Sequence, residues 1–270
     1  MMKPDLHDST LELDAGVALL TFQRNDVRNA LTGTALVDEL LLTLEWANQN
    51  PSVAVLVITG AGAAFSSGGN VKEMQERQGL FSGSILAIEE QYRRGIQRLP
   101  LAMEAAEVPL IAAVNGPAIG AGFDLACMCD LRLASSRAVL GETFLNLGII
   151  PGDGGAWFLQ RLIGYQRAAE LTLTGRLIKA EEALQLGIFL EVVEPEDLLS
   201  RSLALAGEIA AQPPQALRLT KRLLKRAQRE GLADFLATCA AFQAIAHHTH
   251  DHQEAVAAFL TKRKPVFTGS

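Results

Sequence analysis

The sequence is poor in cysteine, in histidine outside its C-terminal region and in positive charge. Three cysteines among 270 residues, two of them close together at Cys127 and Cys129, do not suggest a disulfide framework, so we expect a reducing, cytoplasmic environment. No histidine lies between His7 and His247, which argues against histidine-based catalysis in the body of the chain. A net charge of -6 lacks the basic footprint that nucleic acid or anionic lipid requires.

Long uninterrupted apolar runs are also missing. Residues 1–14 are acidic and contain no apolar stretch, so we expect neither a signal peptide nor an Arg-rich transit peptide there. The longest apolar region, 108–129, is interrupted at 115–117 and at Asp124, which argues against a membrane span. Hydrophobic residues make up 49% and charged residues 20%, a composition typical of globular proteins.

Hydrophobic periodicity predicts an α/β protein. Short apolar runs at 16–22, 53–60 and 109–116 are typical of buried strands, and 131–144 predicts two further extended pieces. Apolar spacing predicts a helix between the first two runs and another over 84–104. Further helices are predicted at 154–163, 166–172, 180–186, 196–211, 214–229, 232–248 and 252–263. We therefore predict an α/β core over residues 1–200 and a helical C-terminal region over 201–270.

Two glycine-rich turns each follow a predicted strand and precede a predicted helix. They are "ITGAGAAFSSGGNVKEM" (58–74) and "NGPAIGAGFDLACMCD" (115–130). The second lacks the third glycine of a dinucleotide fingerprint, since Leu125 stands there, and no phosphate-loop lysine motif is present. Small residues at a helix start let backbone amides approach a ligand, and two such turns offer two donors to a developing oxyanion. Tight packing of helix on strand is the alternative interpretation.

These segments belong to a longer series of motifs. The chain resembles the crotonase superfamily, the enoyl-CoA hydratase/isomerase family, over nearly its whole length. The resemblance implies a fold of repeated ββα units with a C-terminal helical trimerisation region, a homotrimer or homohexamer, and an acyl-CoA thioester ligand. It implies no cofactor apart from the coenzyme A of the substrate, and no metal. The matching segments are 24–32, 64–74, 115–135, 147–164, 183–193 and 254–269.

The resemblance also implies site residues. The two oxyanion amides fall on Gly69 and Ala121, where glycine is more usual at the second position. Arg28 falls where a basic residue approaches the CoA phosphates, and the tail at 262–264 extends that patch. The alternative for these residues is an ordinary solvated surface charge. The full set of expected substrate-binding residues is Arg28, Ala30, Ala64, Ser66, Gly68, Asn70, Val71, Phe144, Pro151 and Gly152.

Asp124 is the first candidate for proton transfer. It matches the first of the two glutamates that hold and activate water in hydratases of the family, whereas the second falls on Phe144, which cannot transfer a proton. Apolar surroundings would raise the pKa of Asp124 towards neutrality, which suits a general acid or base. The alternative is an aspartate that stabilises a helix N-terminus.

Asp153, in "PGDGG", is the predicted substitute for the missing glutamate. A C–C bond hydrolase of the superfamily has a similar "PGDG" but also uses histidines, which this chain lacks there. A turn without catalysis is the alternative, because Pro-Gly-Asp-Gly is good turn chemistry. Glu142, expected on the same strand face as Phe144, is a third candidate.

Other chemical residue types carry weaker signals. His248 and His252 have metal-ligand spacing, but no further ligand motif supports a metal, so we expect surface or interface histidines. Ser66 lies near the first turn without a nucleophile elbow or a nearby histidine. Cys127 and Cys129 are expected to be small core residues.

The predicted function is that of an enoyl-CoA hydratase-like enzyme. It would act through a thioester enolate held by the two backbone amides, with Asp124 as the proton-transfer group. Three alternatives stay open: an enoyl-CoA isomerase, a C–C bond hydrolase of the same superfamily, and a non-catalytic acyl-CoA-binding member.

Overall fold

The computed structural model describes residues 2–270, which form nine strands and twelve α-helices. The strands are β1 (Ser9–Asp14), β2 (Val17–Phe22), β3 (Val55–Gly60), β4 (Leu110–Val114), β5 (Ala118–Ile119), β6 (Leu131–Ser135), β7 (Val139–Gly141), β8 (Ile178–Lys179) and β9 (Glu191–Val193). The helices are α1 (Leu36–Gln49), α2 (Val71–Glu76), α3 (Ile85–Arg94), α4 (Arg98–Ala105), α5 (Ala121–Met128), α6 (Gly155–Ile163), α7 (Tyr165–Thr174), α8 (Ala180–Gln185), α9 (Leu198–Ala210), α10 (Pro214–Ala227), α11 (Leu232–His247) and α12 (His250–Leu260).

A six-stranded sheet forms the centre of the fold, in the order β1-β2-β3-β4-β6-β9. Its strands run parallel except β1, which pairs antiparallel with β2. A second, three-stranded sheet has the order β5-β7-β8. Because β4 and β6 lie in the first sheet and β5 and β7 in the second, β4–β5–α5 and β6–β7–α6 are two successive ββα units. The predicted α/β fold of repeated ββα units is confirmed.

Both faces of the large sheet are covered, which explains why β3 and β4 are almost entirely apolar. The exception is Thr59 of β3, whose hydroxyl donates to the Ala113 carbonyl at 2.8 Å. On β3, Leu56 and Ile58 face the main core, which also contains residues of α1, α4 and α5. Val55 and Val57 alternate to the other face and pack with α9. The predicted boundary between residues 200 and 201 falls inside α9.

Two predicted elements were wrong. The single helix over 84–104 is two helices, α3 and α4, separated at Gly95, where an added Cβ would collide with the Gln91 carbonyl. The extended piece ending at 144 stops at Gly141, and 143–147 form a 3-10 turn closed by Gly148 in the left-handed conformation. Glu142 and Phe144 therefore do not share a strand face.

The C-terminal helices attach to the core through α10. The guanidinium of Arg218 donates hydrogen bonds to the carbonyls of Ala47, Asn50 and Val53 at 3.0–3.1 Å. In contrast, α11 has no buried residue although its composition is largely apolar. Across residues 2–270, we find no helix with the length and apolar content to cross a membrane.

Candidate active site

The two glycine-rich turns lie against each other at the carboxyl ends of β3 and β4. The Ile119 amide donates to the Ser66 carbonyl at 3.0 Å, and the Phe65 amide donates to the Pro117 carbonyl at 3.0 Å. The stretch after β2 closes the same assembly, since the Leu31 amide donates to the Gly68 carbonyl at 2.7 Å. These backbone bonds hold the turns in a fixed relation, which a preorganised amide pair requires.

Glycine is required where the turns touch. A Cβ on Gly122 would collide with the backbone of Ser66, and one on Gly68 with the Ile119 carbonyl. Gly120, with φ 54° and ψ -124°, has a conformation that residues with a side chain rarely adopt. The close approach leaves the amides of Gly69 and Ala121 without a hydrogen-bond acceptor among the described residues. Both are therefore available to a ligand oxygen.

A small cavity of about 40 Å³ lies between these amides and the turn before α6. Gly69 and Ala121 line one side, and Asp153 and Gly152 line another. The cavity also touches Tyr92 of α3, whose ring lies against Gly152. The rest of the lining is mainly apolar: Met74, Leu80, Phe81, Ile96, Phe144 and Ile149.

Three carboxyl groups are buried together behind this cavity. Asp124 lies in the first turn of α5 and is 0% exposed, Glu142 follows β7 and is 1% exposed, and Asp153 precedes α6 and is 3% exposed. None of their six oxygens accepts a hydrogen bond from a donor group within residues 2–270. No described lysine, arginine or histidine forms an ion pair with them. Buried carboxylates without such partners are costly, so the cluster has to hold protons.

The electrostatics of the cluster follow from burial. Burial raises the pKa of all three groups, and it raises the pKa of Glu142 to about 7. The pKa of Asp124 lies well above its usual value, because the charges of Asp153 and Glu142 add to its burial. Asp124 is also within hydrogen-bonding reach of both neighbours, and a hydrogen bond to either one stabilises its protonated form and raises its pKa. Of the three groups, Asp124 is therefore the central one, and both its burial and its two neighbours favour its protonated form.

The Asp124 carboxyl packs closely against Gly155, the first residue of α6. A Cβ on Gly155 would overlap the Asp124 carboxyl group. The only carboxyl of the three that lines the cavity is Asp153, within the described residues. It also raises the pKa of Tyr92, after the larger contribution of burial. The predicted candidates Asp124 and Asp153 are thus brought together, with Asp153 nearer the cavity.

Several expected substrate-binding residues have their side chains engaged in the fold. Ala30 and Ala64 are buried, and the Ser66 hydroxyl donates to the Asn29 carbonyl at 2.7 Å. The Asn70 side chain caps α2 by accepting from the amides of Lys72 and Glu73. These side chains are therefore occupied by contacts within the fold.

The remaining expected contacts fall into two groups. Phe144 and Gly152 line the cavity, with Pro151 half-buried beside Gly152. Arg28 and Val71 are exposed. Arg28 adopts a left-handed conformation, φ 54°, and its carbonyl accepts from Ser67 at 2.9 Å, which fixes the backbone at that position.

The basic tail and the histidine tract are engaged in contacts of their own. Arg263 forms a two-point ion pair with Glu254, so its charge is already balanced. The histidines that meet are His247 and His252, with ring nitrogens 3.0 Å apart, rather than His248 and His252. Within residues 2–270 no group of three or more metal-ligating side chains is placed to hold an ion. Cys127 and Cys129 are buried, as expected for core residues.

The structure corrects the expected position of one candidate, Glu142, and adds one residue, Tyr92, that was not predicted from the sequence. Glu142 was predicted to share a strand face with Phe144, whereas its side chain is buried next to Asp124. Tyr92 lines the cavity but is not among the residues predicted from the sequence. Only its position on an amphipathic helix marks it in the sequence, and that pattern is common to core residues.

Free amides facing a cavity that is backed by protonatable carboxyls are groups that can polarise a carbonyl oxygen and transfer a proton. The chain belongs to the enoyl-CoA hydratase/isomerase family, whose model matches residues 12–270. It is therefore an enzyme of the crotonase superfamily, in keeping with the resemblance seen in the sequence.

Individual relatives cover almost the whole chain. The short-chain-enoyl-CoA hydratase of Clostridium acetobutylicum is 36% identical and covers 96% of this chain and 97% of its own. The 2,3-dehydroadipyl-CoA hydratase of Escherichia coli is 37% identical, over 94% and 95% respectively. The crystal structure of a putative enoyl-CoA hydratase from Streptomyces coelicolor matches with a TM-score of 0.92 at 31% identity, over 100% of this chain and 97% of that one.

Proposed function

We propose that this enzyme adds water to an α,β-unsaturated acyl-CoA thioester through an enolate. The observation that carries the proposal is the meeting of two free amides, on Gly69 and Ala121, with a carboxyl group, Asp153, in one cavity. The names of the relatives in Clostridium acetobutylicum and Escherichia coli support a CoA thioester as substrate.

The amides polarise the thioester. Negative charge accumulates on the thioester oxygen when a nucleophile adds to C3, and two fixed N–H donors stabilise it there. Ala121 serves as well as glycine because only its amide is used, and its side chain fits at 7% exposure. Donors of this kind are typically worth about 10²–10³ in rate each.

The carboxyls move the proton. Ionised Asp153 takes a proton from water as the water oxygen bonds to C3, and the C2–C3 π electrons move to the enolate. Asp153 then returns a proton to C2, giving the 3-hydroxyacyl thioester with no net proton gained or lost. Asp124, hydrogen-bonded behind Asp153, exchanges its proton with that group and so sets how basic it is.

Isomerisation is the second candidate, and Phe144 is the observation that favours it. An aromatic ring lines the cavity where hydratases of the family carry a second glutamate. A single carboxyl is enough to remove a proton from one carbon of an enolisable thioester and return it to another. A double-bond shift therefore requires fewer acid–base groups in this site than hydration does.

The same enzyme is proposed to assemble as a homotrimer or homohexamer. Apolar side chains on the last two helices are exposed, including Leu232 and Leu236 on α11 and Phe259, 83% exposed, on α12. Apolar surface on this scale is typical of a subunit interface. Sedimentation of Leu236→Asp should show a smaller species than the unmodified protein, while an unchanged mass would count against this interface.

A cytoplasmic location completes the proposal. It is supported by the three free cysteines. Burial raises the pKa of the Cys129 thiol to about 12, so it stays protonated and unreactive.

Product analysis tests the activity. The enzyme is incubated separately with crotonyl-CoA and with a 3-enoyl-CoA, and the products are separated and weighed by mass spectrometry. A product heavier by one water supports hydration, and interconversion of the 2- and 3-enoyl isomers supports isomerisation. Asp14→Asn is the matched control, because Asp14 is exposed at the opposite edge of the sheet. Binding of both thioesters without either product would indicate a non-catalytic member and overturn the proposal.

A further inference from the structure

Glu142 is a buried acid that the reaction outlined above does not use. It follows β7, whose last residue, Gly141, accepts the Gly120 amide at 2.7 Å, so it is fixed to the turn that carries Ala121. Its side chain is 1% exposed and both carboxyl oxygens lack a hydrogen-bond donor in the part of the chain described. A glutamine or methionine there would fill a similar space without burying a charge, so a purely structural role does not explain the carboxylate.

The three carboxyls form a row rather than a triangle. Asp124 is within hydrogen-bonding reach of both neighbours, while Glu142 and Asp153 act on each other only through charge. Asp153 lines the cavity and Glu142 does not. The row therefore runs from the cavity inwards: Asp153, Asp124, Glu142.

One proton on Asp124 has two acceptors and can bond only one of them at a time. When it bonds Asp153, that carboxylate is stabilised and becomes a weaker base. When it bonds Glu142, Asp153 has no donor in the described residues and is a stronger base. The position of this proton thus decides how readily Asp153 takes a proton from its ligand.

The groups that surround Glu142 leave the Asp124 proton as its main hydrogen-bond partner. The titratable groups facing it are Asp124 and Cys127 of α5 and Asp153 of the turn before α6. Burial keeps the Cys127 thiol protonated, since it raises the thiol pKa. No cation pairs with Glu142 among residues 2–270.

We propose that Glu142 is a positioning residue that draws the Asp124 proton away from Asp153 and so keeps Asp153 basic enough to act on the substrate. This inference rests on the proposed proton transfer by Asp153. Glu142 itself touches no substrate, and its effect passes through Asp124.

The pH dependence of Glu142→Gln tests the inference. A neutral amide is a weaker acceptor than a carboxylate, so the Asp124 proton moves to Asp153, and one negative charge leaves the cluster. Both changes lower the pKa of Asp153. The acidic limb of the kcat profile should move to lower pH by about one unit, kcat at the optimum should fall about tenfold, and KM should stay the same. Glu12→Gln, on an exposed strand position, is the matched control.

An unchanged acidic limb in folded Glu142→Gln would overturn the inference. A general loss of packing would raise KM and lower the melting temperature without moving the limb. These readouts separate a positioning role from a structural one.

Infrared spectroscopy of the unmodified enzyme gives a second test that needs neither turnover nor a stable variant. The C=O stretch of a buried carboxylic acid should be present at neutral pH and should change as Glu142 titrates near pH about 7. Its absence at neutral pH would overturn the inference. If the band behaves as expected but no enoyl-CoA is converted, the proposed function fails while the shared proton stands.

Discussion

Helix α5 has a cluster of ionisable residues at each end, and the two clusters are built in opposite ways. At its amino end Asp124 meets Glu142 and Asp153, with no cation among the described residues. Just beyond its carboxyl end, Asp130 meets Lys221, whose ammonium lies 2.8 Å from the carboxylate and donates to the Val108 carbonyl at 2.6 Å.

The difference separates structure from function. The Lys221 cluster is paired and ties α10 to the core, so removing a member should cost stability. The carboxyl groups of the Asp124 cluster repel one another when they are ionised, and no cation within residues 2–270 offsets this repulsion, so the cluster lowers the stability of the fold. Catalytic groups with shifted pKa values are commonly found in such surroundings. Substitutions in the two clusters should therefore have opposite consequences.

The largest effect is expected from Asp124→Asn. An amide of the same shape cannot exchange a proton with Asp153, so kcat should fall about 10²–10⁴-fold. Stability should be unchanged or higher, because one buried acid is removed. Initial rates with crotonyl-CoA and a urea unfolding curve measure both, beside Asp14→Asn as control. A variant that keeps its activity, or that loses activity only because it unfolds, would contradict the claim that the Asp124 cluster serves catalysis and not stability.

Lys221→Ala should have the opposite effect: it should lower stability and leave kcat unchanged. Its loss leaves Asp130 with Lys225, 3.7 Å away, as a weaker partner. We expect a loss of about 3 kcal/mol in unfolding free energy, the lower end for a broken buried pair. The remaining folded enzyme should keep its kcat. The urea midpoint measures the first effect, and a midpoint like that of the unmodified enzyme would contradict a structural role for this pair.

Gly155→Ala should disturb the first cluster without changing its charge. The added methyl group overlaps the Asp124 carboxyl, so the residue or the start of α6 has to shift, at about 1–3 kcal/mol. Displacement of Asp124 should also lower kcat. Gly207→Ala is the control, since its Cβ would meet nothing within 4 Å in the last turn of α9. Equal stability and kcat in both variants would show that Gly155 does not position Asp124.

The smallest expected effect is a slope in the pH dependence of stability. A carboxyl whose pKa is raised on folding holds its proton more tightly in the folded state, so it contributes stability at low pH that is lost as pH rises. For Glu142 the loss runs from the unfolded value near pH ~4 to about 7. The slope approaches about 1.4 kcal/mol per pH unit for one proton. Urea curves across this range should show it, and it should flatten in Glu142→Gln. A slope that is the same in both proteins would mean that Glu142 is not protonated on folding.

The features that could be predicted from the sequence are those that depend on residues close together in the chain. The glycine turns follow from strand-turn-helix spacing, because each turn is built from consecutive residues, whereas Asp124 was predicted as a site residue from the family resemblance. The pairing of the turns through Ser66 and Ile119 could be expected once both were recognised. The functions of these residues stay predictions.

The position of Glu142 could not be predicted, because alternation along a strand was assumed where the chain turns into a 3-10 helix. Tyr92 reaches the cavity through the packing of α3 against a turn about sixty residues later in the chain, and no local pattern encodes that contact. The arrangement of the acid cluster is likewise a product of tertiary packing, since its members come from α5, the end of β7 and the turn before α6.

The most direct measurement is kcat of Asp153→Asn with crotonyl-CoA, together with calorimetric affinity for a saturated CoA thioester. Asp153 is the carboxyl of the cluster that lines the cavity. The account predicts a fall in kcat of at least about 10²-fold with affinity unchanged. Turnover close to that of the unmodified enzyme would show that the unpaired carboxyls are not its catalytic centre.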